Sequence, residues 1–591
     1  MKIFGAKISY QVLTFLKDNL SPIATFENAN SILFDSFKIN DFFETHDDFQ
    51  ALKETISDIS LNVVCESDRT EYGDFQTNIE LATKVVNYLF KNEVSPEIVI
   101  EPTCGKGNFI VASLSRFKTI KKIIGIEIFK PYVWETKFNI LDFSLSNPNQ
   151  SIPEIDIIHA SVFDYNFKKI SSLFPSEKLL IIGNPPWVTN SKLGSLNSSN
   201  LPNKSNFKNQ NGLDAMTGKG NFDIAEYISL MLFEAFQNHS GHLALLVKNT
   251  VIKNIVYDQK NKRHNISRIE KFCIDSKKEF NVSVEAALLL CQFNTEPSLD
   301  CTEFDFYSLE KKSKFGWLNS KFVSNIDDYN ENKNIDGICP FEWRQGIKHD
   351  CSSVMELEKE DDAFVNKLSE TVSLEEELVY GILKSSDLKN TLIKKTRKFT
   401  IVTQSRVGQD TLHIKQLYPK TYAYLSKHIS LFNARKSSIY KGKPLFSIFG
   451  IGEYSFKPFK VAISGLYKTF HFTLVLPQNN KPVMLDDTCY FIGFDKLDYA
   501  VYSIILLNNK KTEDFLKSIT FSDAKRVFTK DLLMRIDMLN IATSTSQEEI
   551  EYQLLSLNEK YNLNINLKLW NDFLNEMTPI KENQLSMFFT D

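Results

Sequence analysis

The chain has 591 residues, of which 42% are hydrophobic and 24% charged, and its formal net charge is −4. These values exclude a disordered, collagen-like or disulfide-stapled chain, and the length exceeds that of one domain. The eight cysteines include no C-x-x-C pair, so neither a metal site nor a disulfide framework is expected, and a reducing cytoplasm suits them. The start, Met1-Lys2-Ile3-Phe4-Gly5, has no signal-peptide core. Apolar runs such as Leu243–Val247 and Ala286–Leu290 fall far short of the ~20 residues a membrane span needs, so no membrane partner is expected.

Residues 1–70 show helical patterning (Ile8, Val12, Leu16, Leu20) and read as an N-terminal helical arm. Thr77 then reads as a helix cap, with Glu80 completing a capping box ahead of Leu81, Val85, Val86 and Leu89. Ile98-Val99-Ile100-Glu101-Pro102-Thr103-Cys104-Gly105-Lys106-Gly107-Asn108-Phe109 reads as strand, glycine turn and helix. Glycines let the backbone approach a ligand closely, and the helix start offers N–H donors. It is not a P-loop, because no G-K-[ST] follows the glycines.

Twenty residues after Gly107, a second strand ends in Glu127, placed to take both hydroxyls of a ribose. Glu101, just before the turn, disfavours a phosphate and favours an amine or cation. S-adenosylmethionine therefore suits this nucleoside site better than a dinucleotide. A third strand leads to a turn, Ser161-Val162-Phe163-Asp164, expected beside the cofactor's adenine. A fourth, Leu179–Ile182, runs into Gly183-Asn184-Pro185-Pro186-Trp187. Prolines lack an N–H and fix φ, so this stretch is rigid and rich in acceptors, with a flat ring at its end. Taken alone, it reads equally as a pocket for a planar amine or as a turn with a core Trp. Alternating strands and helices predict an α/β, doubly wound parallel sheet, with Glu101, Glu127, Ser161–Asp164 and Asn184 at strand C-termini.

Residues 188–220 form a long polar loop, expected to close over a substrate or follow a polyanion backbone. Asp223 sits in the first turn of the next helix. Further along, Glu356–Glu377 reads as an acidic, helix-like stretch. From Gly381 to Phe470 there are 17 Lys/Arg against three acids, +14 in all, which leaves −18 for the rest. Aromatics interleave with the basics, as in a polyanion-binding surface.

The order Thr77, Glu101-Pro-x-Cys-Gly-x-Gly-x-Phe109, Glu127 and Asn184-Pro-Pro-Trp187 resembles the gamma-class (TaqI-like) adenine-N6 DNA methyltransferases of bacterial restriction–modification systems. The resemblance covers motifs over 71–295 and, by layout, a later recognition module. It implies a Rossmann-like S-adenosylmethionine-dependent domain at 71–295, a connecting segment at 296–340, an α+β target-recognition domain at 341–545 and a helical tail at 546–591. Thr77, Glu101, Cys104, Gly105, Gly107, Phe109, Glu127 and Ile128 would line the cofactor site together with Asn184, Ser161, Phe163 and Asp164. The family often has Asp where Ser161 stands. Asn184 and the Pro185 carbonyl, in the motif closed by Pro186 and Trp187, would accept the N6 hydrogens of a flipped-out adenine. Trp187 would stack on that base, with Phe280 on its other face; Phe280 reads equally as core. Arg344, Lys348, Arg397, Arg406, Arg435 and Lys436 are the candidates for DNA contact.

The reading is thus a site-specific DNA methyltransferase acting on double-stranded DNA as a monomer, with a cognate restriction endonuclease acting separately. A solitary regulatory enzyme, or one acting on an RNA base or a protein glutamine amide, is the alternative.

Overall fold

In the first half of the chain, burial explains the sequences of the strands. In the computed structural model, which describes residues 2–57, 75–189, 222–361, 363–521 and 526–587, the apolar runs form β4 (Ile98–Glu101), β5 (Lys122–Glu127), β6 (Glu154–His159), β7 (Leu179–Gly183) and β8 (Gly241–Lys248). Every residue of β4 and β7 is buried, as expected of strands covered on both faces. The first three strands are short: β1 (Lys2–Ile3), β2 (Ala6–Lys7) and β3 (Ile39–Asn40).

The chain divides into two units, Met1–Phe322 and Val323–Asp591. The first holds an 11-stranded sheet in which β9 (Ile266–Cys273), β10 (Ala286–Phe293), β11 (Asp300–Asp305), β12 (Lys311–Leu318) and β13 (Lys321–Val323) complete the order β13-β12-β11-β9-β10-β8-β7-β4-β5-β6-β3. From β3 to β8 all neighbours are parallel, while β10 runs antiparallel between β8 and β9. Strand order reverses at β4: β5 and β6 lie on one side, β7 and β8 on the other. That reversal opens a crevice at the C-terminal ends of β4 and β7, where ligands bind in open α/β sheets.

Within the connecting segment, residues 296–323 supply β11, β12 and β13. The N-terminal arm is likewise part of the core: β3 is the edge strand beside β6, and Phe42, Phe43 and Phe49 are at most 1% exposed. Phe42 meets Trp134 of the helix Lys130–Ser146 at 5.8 Å, and the buried Lys137 ammonium donates to the Phe42 carbonyl at 2.9 Å.

The second unit contains a five-stranded sheet, order β14-β24-β21-β22-β19, and a six-stranded one, order β17-β16-β15-β20-β18-β23. Their ranges are β14 (Arg344–Gln345), β15 (Glu356–Glu360), β16 (Ala363–Asn366), β17 (Thr371–Val372), β18 (Val379–Leu383), β19 (Leu392–Ile393), β20 (Lys398–Ile401), β21 (Phe459–Ser464), β22 (Thr473–Val475), β23 (Met484–Leu485) and β24 (Cys489–Phe494). The acidic stretch expected to be helical is therefore β15, β16 and β17. Cross-strand partners decide it: Glu358 faces Lys398 in register and pairs with it at 3.1 Å, while Leu357 is fully buried. Helices Gln547–Tyr561 and Trp570–Met587 occupy the expected tail, with Phe573 buried against Phe341 at 5.6 Å.

Candidate active site

Each predicted residue of the crevice is placed by a strand end. Between β4 and the helix Asn108–Arg116 the backbone makes a tight turn, with the Gly107 N–H donating to the Cys104 carbonyl at 2.8 Å. Gly105 and Gly107 have φ of 53° and 74°, a region that costs residues with a Cβ. A Cβ on Gly105 would lie 2.4 Å from Gln76 Oε1, and one on Gly107 would lie 2.6 Å from a Thr136 methyl. Both glycines are therefore needed for conformation, and Gly107 also for space against the short, branched Thr136; the Gln76 amide beside Gly105 is the end of a flexible side chain.

Glu127 is 9% exposed. Its carboxylate accepts the Gly105 N–H at 2.9 Å and the Phe129 N–H at 2.7 Å, which ties the second strand end to the turn. Glu101 is 2% exposed, and its Oε2 has no hydrogen-bond partner among the described residues. Burial, and then the neighbouring Glu127 charge, push the Glu101 carboxyl well above its ordinary range. Cys104 is buried in the same place, and burial followed by the Glu101 and Glu127 charges raises its thiol. A thiol held protonated is no nucleophile.

Thr77 does not cap the helix Ile79–Lys91. Asn78 does, accepting the Leu81 N–H at 2.8 Å. Thr77 instead offers its hydroxyl oxygen to the Asn184 amide, which donates at 3.2 Å, and Asn184 Nδ2 also donates to the Phe75 carbonyl at 2.7 Å. These two bonds fix which end of the amide is which. Asn184 Oδ1 is left buried with no partner among the described residues. An oriented, orphaned acceptor is costly unless something donates to it.

Trp187 is 6% exposed, and its indole N–H donates to the Leu246 carbonyl at 3.1 Å. Phe280 meets it edge-on at 4.9 Å, and Phe75 lies at 5.5 Å. The structure thus brings Trp187 and Phe280 together, but in direct contact. A planar group between them would need ring planes about 7 Å apart, two contacts of about 3.5 Å each, so one ring must move.

At the other strand ends, Ser161 Oγ accepts the Phe163 N–H at 3.2 Å, Asp164 is exposed, and Phe163 packs edge-on against Tyr227 at 5.7 Å. Ile128 is 40% exposed, an apolar face open at the end of β5. Phe109 is 1% exposed and belongs to the core cluster beneath the turn, so it supports the turn from below and does not line a surface. Sequence reading missed Phe75, Gln76 and the pair Asp223–Lys248. Gln76 accepts the Lys106 N–H at 3.2 Å over the glycine turn. Asp223 caps the helix Ile224–Phe236 and meets the Lys248 ammonium at 2.5 Å. No local signal marks Phe75 or Gln76. The long loop at 188–220 is described only at Val188 and Thr189; the rest of it lies outside the described residues.

Over 475 residues the chain is 41% identical to the type II methyltransferase M.NspV of Nostoc sp. (strain ATCC 29411 / PCC 7524), an alignment covering 80% of this chain and 97% of the relative. The chain belongs to the type II methyltransferases. No family model matches it. This methyltransferase also shares its fold with the type IIL restriction-modification enzyme MmeI, solved in complex with DNA, at a TM-score of 0.50 and 12% identity over 84% of this chain and 72% of MmeI. The type IIG restriction endonuclease BpuSI overlaps more loosely, at a TM-score of 0.36 and 12% identity over 93% of this chain and 70% of that one. The Rossmann-like expectation thus holds: the chain is a DNA methyltransferase of a restriction–modification system, and its methyl donor is S-adenosylmethionine.

The crevice of the methyltransferase suits that donor. Its amine and sulfonium carry positive charge; a cation beside the orphaned Glu101 carboxyl, with Glu127 nearby, would offset the burial and the like charge that hold Glu101 up and so favour its ionised form. Ile128 offers a purine an apolar face.

The six basic candidates of the second unit separate by their partners. Arg435 is a framework residue, against expectation: its guanidinium donates to the carbonyls of Phe432, His349, Ser447 and Leu445 at 2.8–3.3 Å and lies 3.7 Å from the Tyr440 ring centre. Arg344 pairs with Glu342 and covers Tyr454; Lys348 pairs with Asp350 at 3.2 Å; Arg397 pairs with Asp387 at 2.7 Å. Arg406 and Lys436 are exposed and have no acidic partner among the described residues, as do Lys441 and Lys443. Loops carrying these four flank the segment 445–449, where Thr403 Oγ1 donates to the Phe446 carbonyl at 2.7 Å and Ile448 N–H to Gln404 Oε1 at 2.8 Å. A free cation can meet an anion without first breaking an existing pair.

Proposed function

We propose that this enzyme methylates the N6 amine of an adenine flipped out of double-stranded DNA at a specific sequence, and so protects DNA from a separate endonuclease. The observation that carries the reading is the orphaned Asn184 Oδ1, an acceptor oriented by Phe75 and Thr77 and followed by two prolines and an aromatic ring. An exocyclic amine has two hydrogens to donate. Asn184 Oδ1 takes one and the Pro185 carbonyl the other. Both acceptors draw the nitrogen toward a tetrahedral geometry and turn its lone pair out of the ring. When bound, S-adenosylmethionine supplies a methyl group on a sulfonium that is already a good leaving group. The chain's share of catalysis is therefore positioning and charge placement. Trp187 provides the stacking face, its N–H tethered to Leu246, and Phe280 swings away to admit the base. The base leaves the duplex because its amine is out of reach inside it. Glu101 faces the donor's cationic end and Glu127 its ribose.

Modification-sensitive sequencing of DNA from cells expressing the protein tests the reading. The expected result is N6-methyladenine at one defined sequence; methyl label on cytosine, RNA or a glutamine peptide overturns it. Asn184→Ala is expected to lower transfer at least a hundredfold, the scale of losing one transition-state donor or acceptor (about 10²–10³), with S-adenosylmethionine affinity within a few fold of wild type. Full activity in that variant would remove Asn184 from its role.

A further inference from the structure

Five separate segments of the second unit converge on a cavity of about 510 Å³, lined by residues from 347–352, the start of β15, the residue after β18, 431–436 and 486–487. Its charged lining is balanced: Lys348, Lys384, Arg435 and Lys436 against Asp350, Glu356, Asp486 and Asp487. The deeper groups are locked together. Glu356, 3% exposed, takes the Lys384 ammonium at 2.6 Å and faces His349 Nε2 at 3.6 Å. Lys384 also stands 4.0 Å from Asp486. The outer groups are accessible: Lys348, its side chain 35% exposed, lies 3.2 Å from Asp350 and 3.6 Å from Asp487, whose side chain is 27% exposed. Arg526 donates to the Asp487 carbonyl at 2.6 Å and so holds that backbone in place.

A phosphate finds no net positive charge here, because the four carboxylates offset the four cations. The unpaired cations Arg406, Lys436, Lys441 and Lys443 on the flanking loops are better suited to phosphates. A neutral edge with donors and acceptors side by side suits the cavity, since it can exchange the existing ion pairs for hydrogen bonds of both kinds. In the major groove, guanine shows two acceptors, O6 and N7, and cytosine one donor, N4; lysine pairs with the first and a carboxylate with the second. Asparagine and glutamine, the usual partners of adenine, are missing from the described lining.

Resting on the DNA-methyltransferase reading above, we propose that this cavity reads the major-groove edge of one G·C pair, with Lys348 donating to guanine and Asp487 accepting from cytosine. Lys384 and Glu356 form its floor and hold the outer pair in position.

The test is modification-sensitive sequencing of a random-sequence plasmid library treated with the full-length wild type, Lys348→Met, Asp487→Asn and Lys436→Ala, with S-adenosylmethionine affinity measured for each as a check on folding. The wild type is expected to require at least one G·C pair. Lys348→Met and Asp487→Asn should both relax the same G·C position, lowering the rate at the full site about ten- to a hundredfold relative to sites altered there. Lys436→Ala should lower all sites alike. The proposal is overturned if the first two variants leave the sequence profile unchanged, relax different positions, or lower all sites uniformly while still binding the cofactor. A wild type that leaves no mark on DNA would overturn the DNA-methyltransferase reading itself, a result distinct from any of these.

Discussion

His349 shows how one buried ring ties the second unit's stability to pH. The Cys351 N–H donates to its Nδ1 at 3.2 Å, so the neutral ring carries its proton on Nε2, toward Glu356. Burial, which outweighs the attraction of Glu356, holds its pKa down to about 4. The unfolded chain binds that proton near pH 6.5 and the folded one only near 4, so stability falls as pH drops through that window. His349→Gln should remove on the order of 3 kcal/mol of this acid sensitivity. Urea midpoints at pH 7 and pH 4.5 measure it; parallel losses in wild type and variant would refute the assignment. The same dependence on surroundings separates Arg435 from Arg406. Their side chains are identical, but four carbonyls and a tyrosine ring occupy the first, and among the described residues nothing acidic meets the second. In the crevice, Asn184 turns a partnerless acceptor inward only because Phe75 and Thr77 take its other end.

Among the elements, the stretch after β7 is held from two sides. The Ile224 N–H donates to the Val188 carbonyl at 2.9 Å, Thr189 bridges Asp223, and the Trp187 N–H reaches Leu246 in β8. Lys248, the last residue of β8, closes the clamp on Asp223, with side chains 15% and 11% exposed. Burial raises the Asp223 carboxyl despite this lysine, a sign that the charge depends on its partner. Removing one member of a buried pair strands the other, at about 3–5 kcal/mol. Lys248→Met should therefore lower stability by about that much, and adding Asp223→Asn should recover part of the loss. A double-mutant cycle with no coupling would show that the pair does not act as a clamp. Because the clamp carries Trp187, the single variant should also raise KM for DNA more than it changes S-adenosylmethionine affinity.

At the scale of the molecule, the first unit is built on one large sheet whose edges come from both ends of its sequence: β3 from the N-terminal segment and β11, β12 and β13 from the segment after β10. Removing residues 1–57 would strip Phe42, Phe43 and Phe49 from Trp134 and Phe138 and leave an apolar face. Burial of each such ring is worth about 1.5–3 kcal/mol. The truncated protein is expected to aggregate and to lose S-adenosylmethionine binding, as read by size-exclusion chromatography and calorimetry. A monodisperse truncated enzyme with wild-type affinity would mean the segment is a dispensable arm after all.

Features set by neighbours in the chain were legible from sequence: the apolar strands, the glycine turn after Glu101, Glu127 closing the second strand, and the rigid Asn184-Pro185-Pro186-Trp187 stretch. Each depends on φ restrictions and burial that act over a few residues. Features set by distant partners were not. Leu357 and Glu358 sit in a strand because β20 lies beside them, Thr77 is a partner of Asn184 and not a cap, and Phe109 faces the core. The cavity around Lys348 and Asp487 draws on segments more than a hundred residues apart, and only tertiary packing brings their charges within a few ångströms.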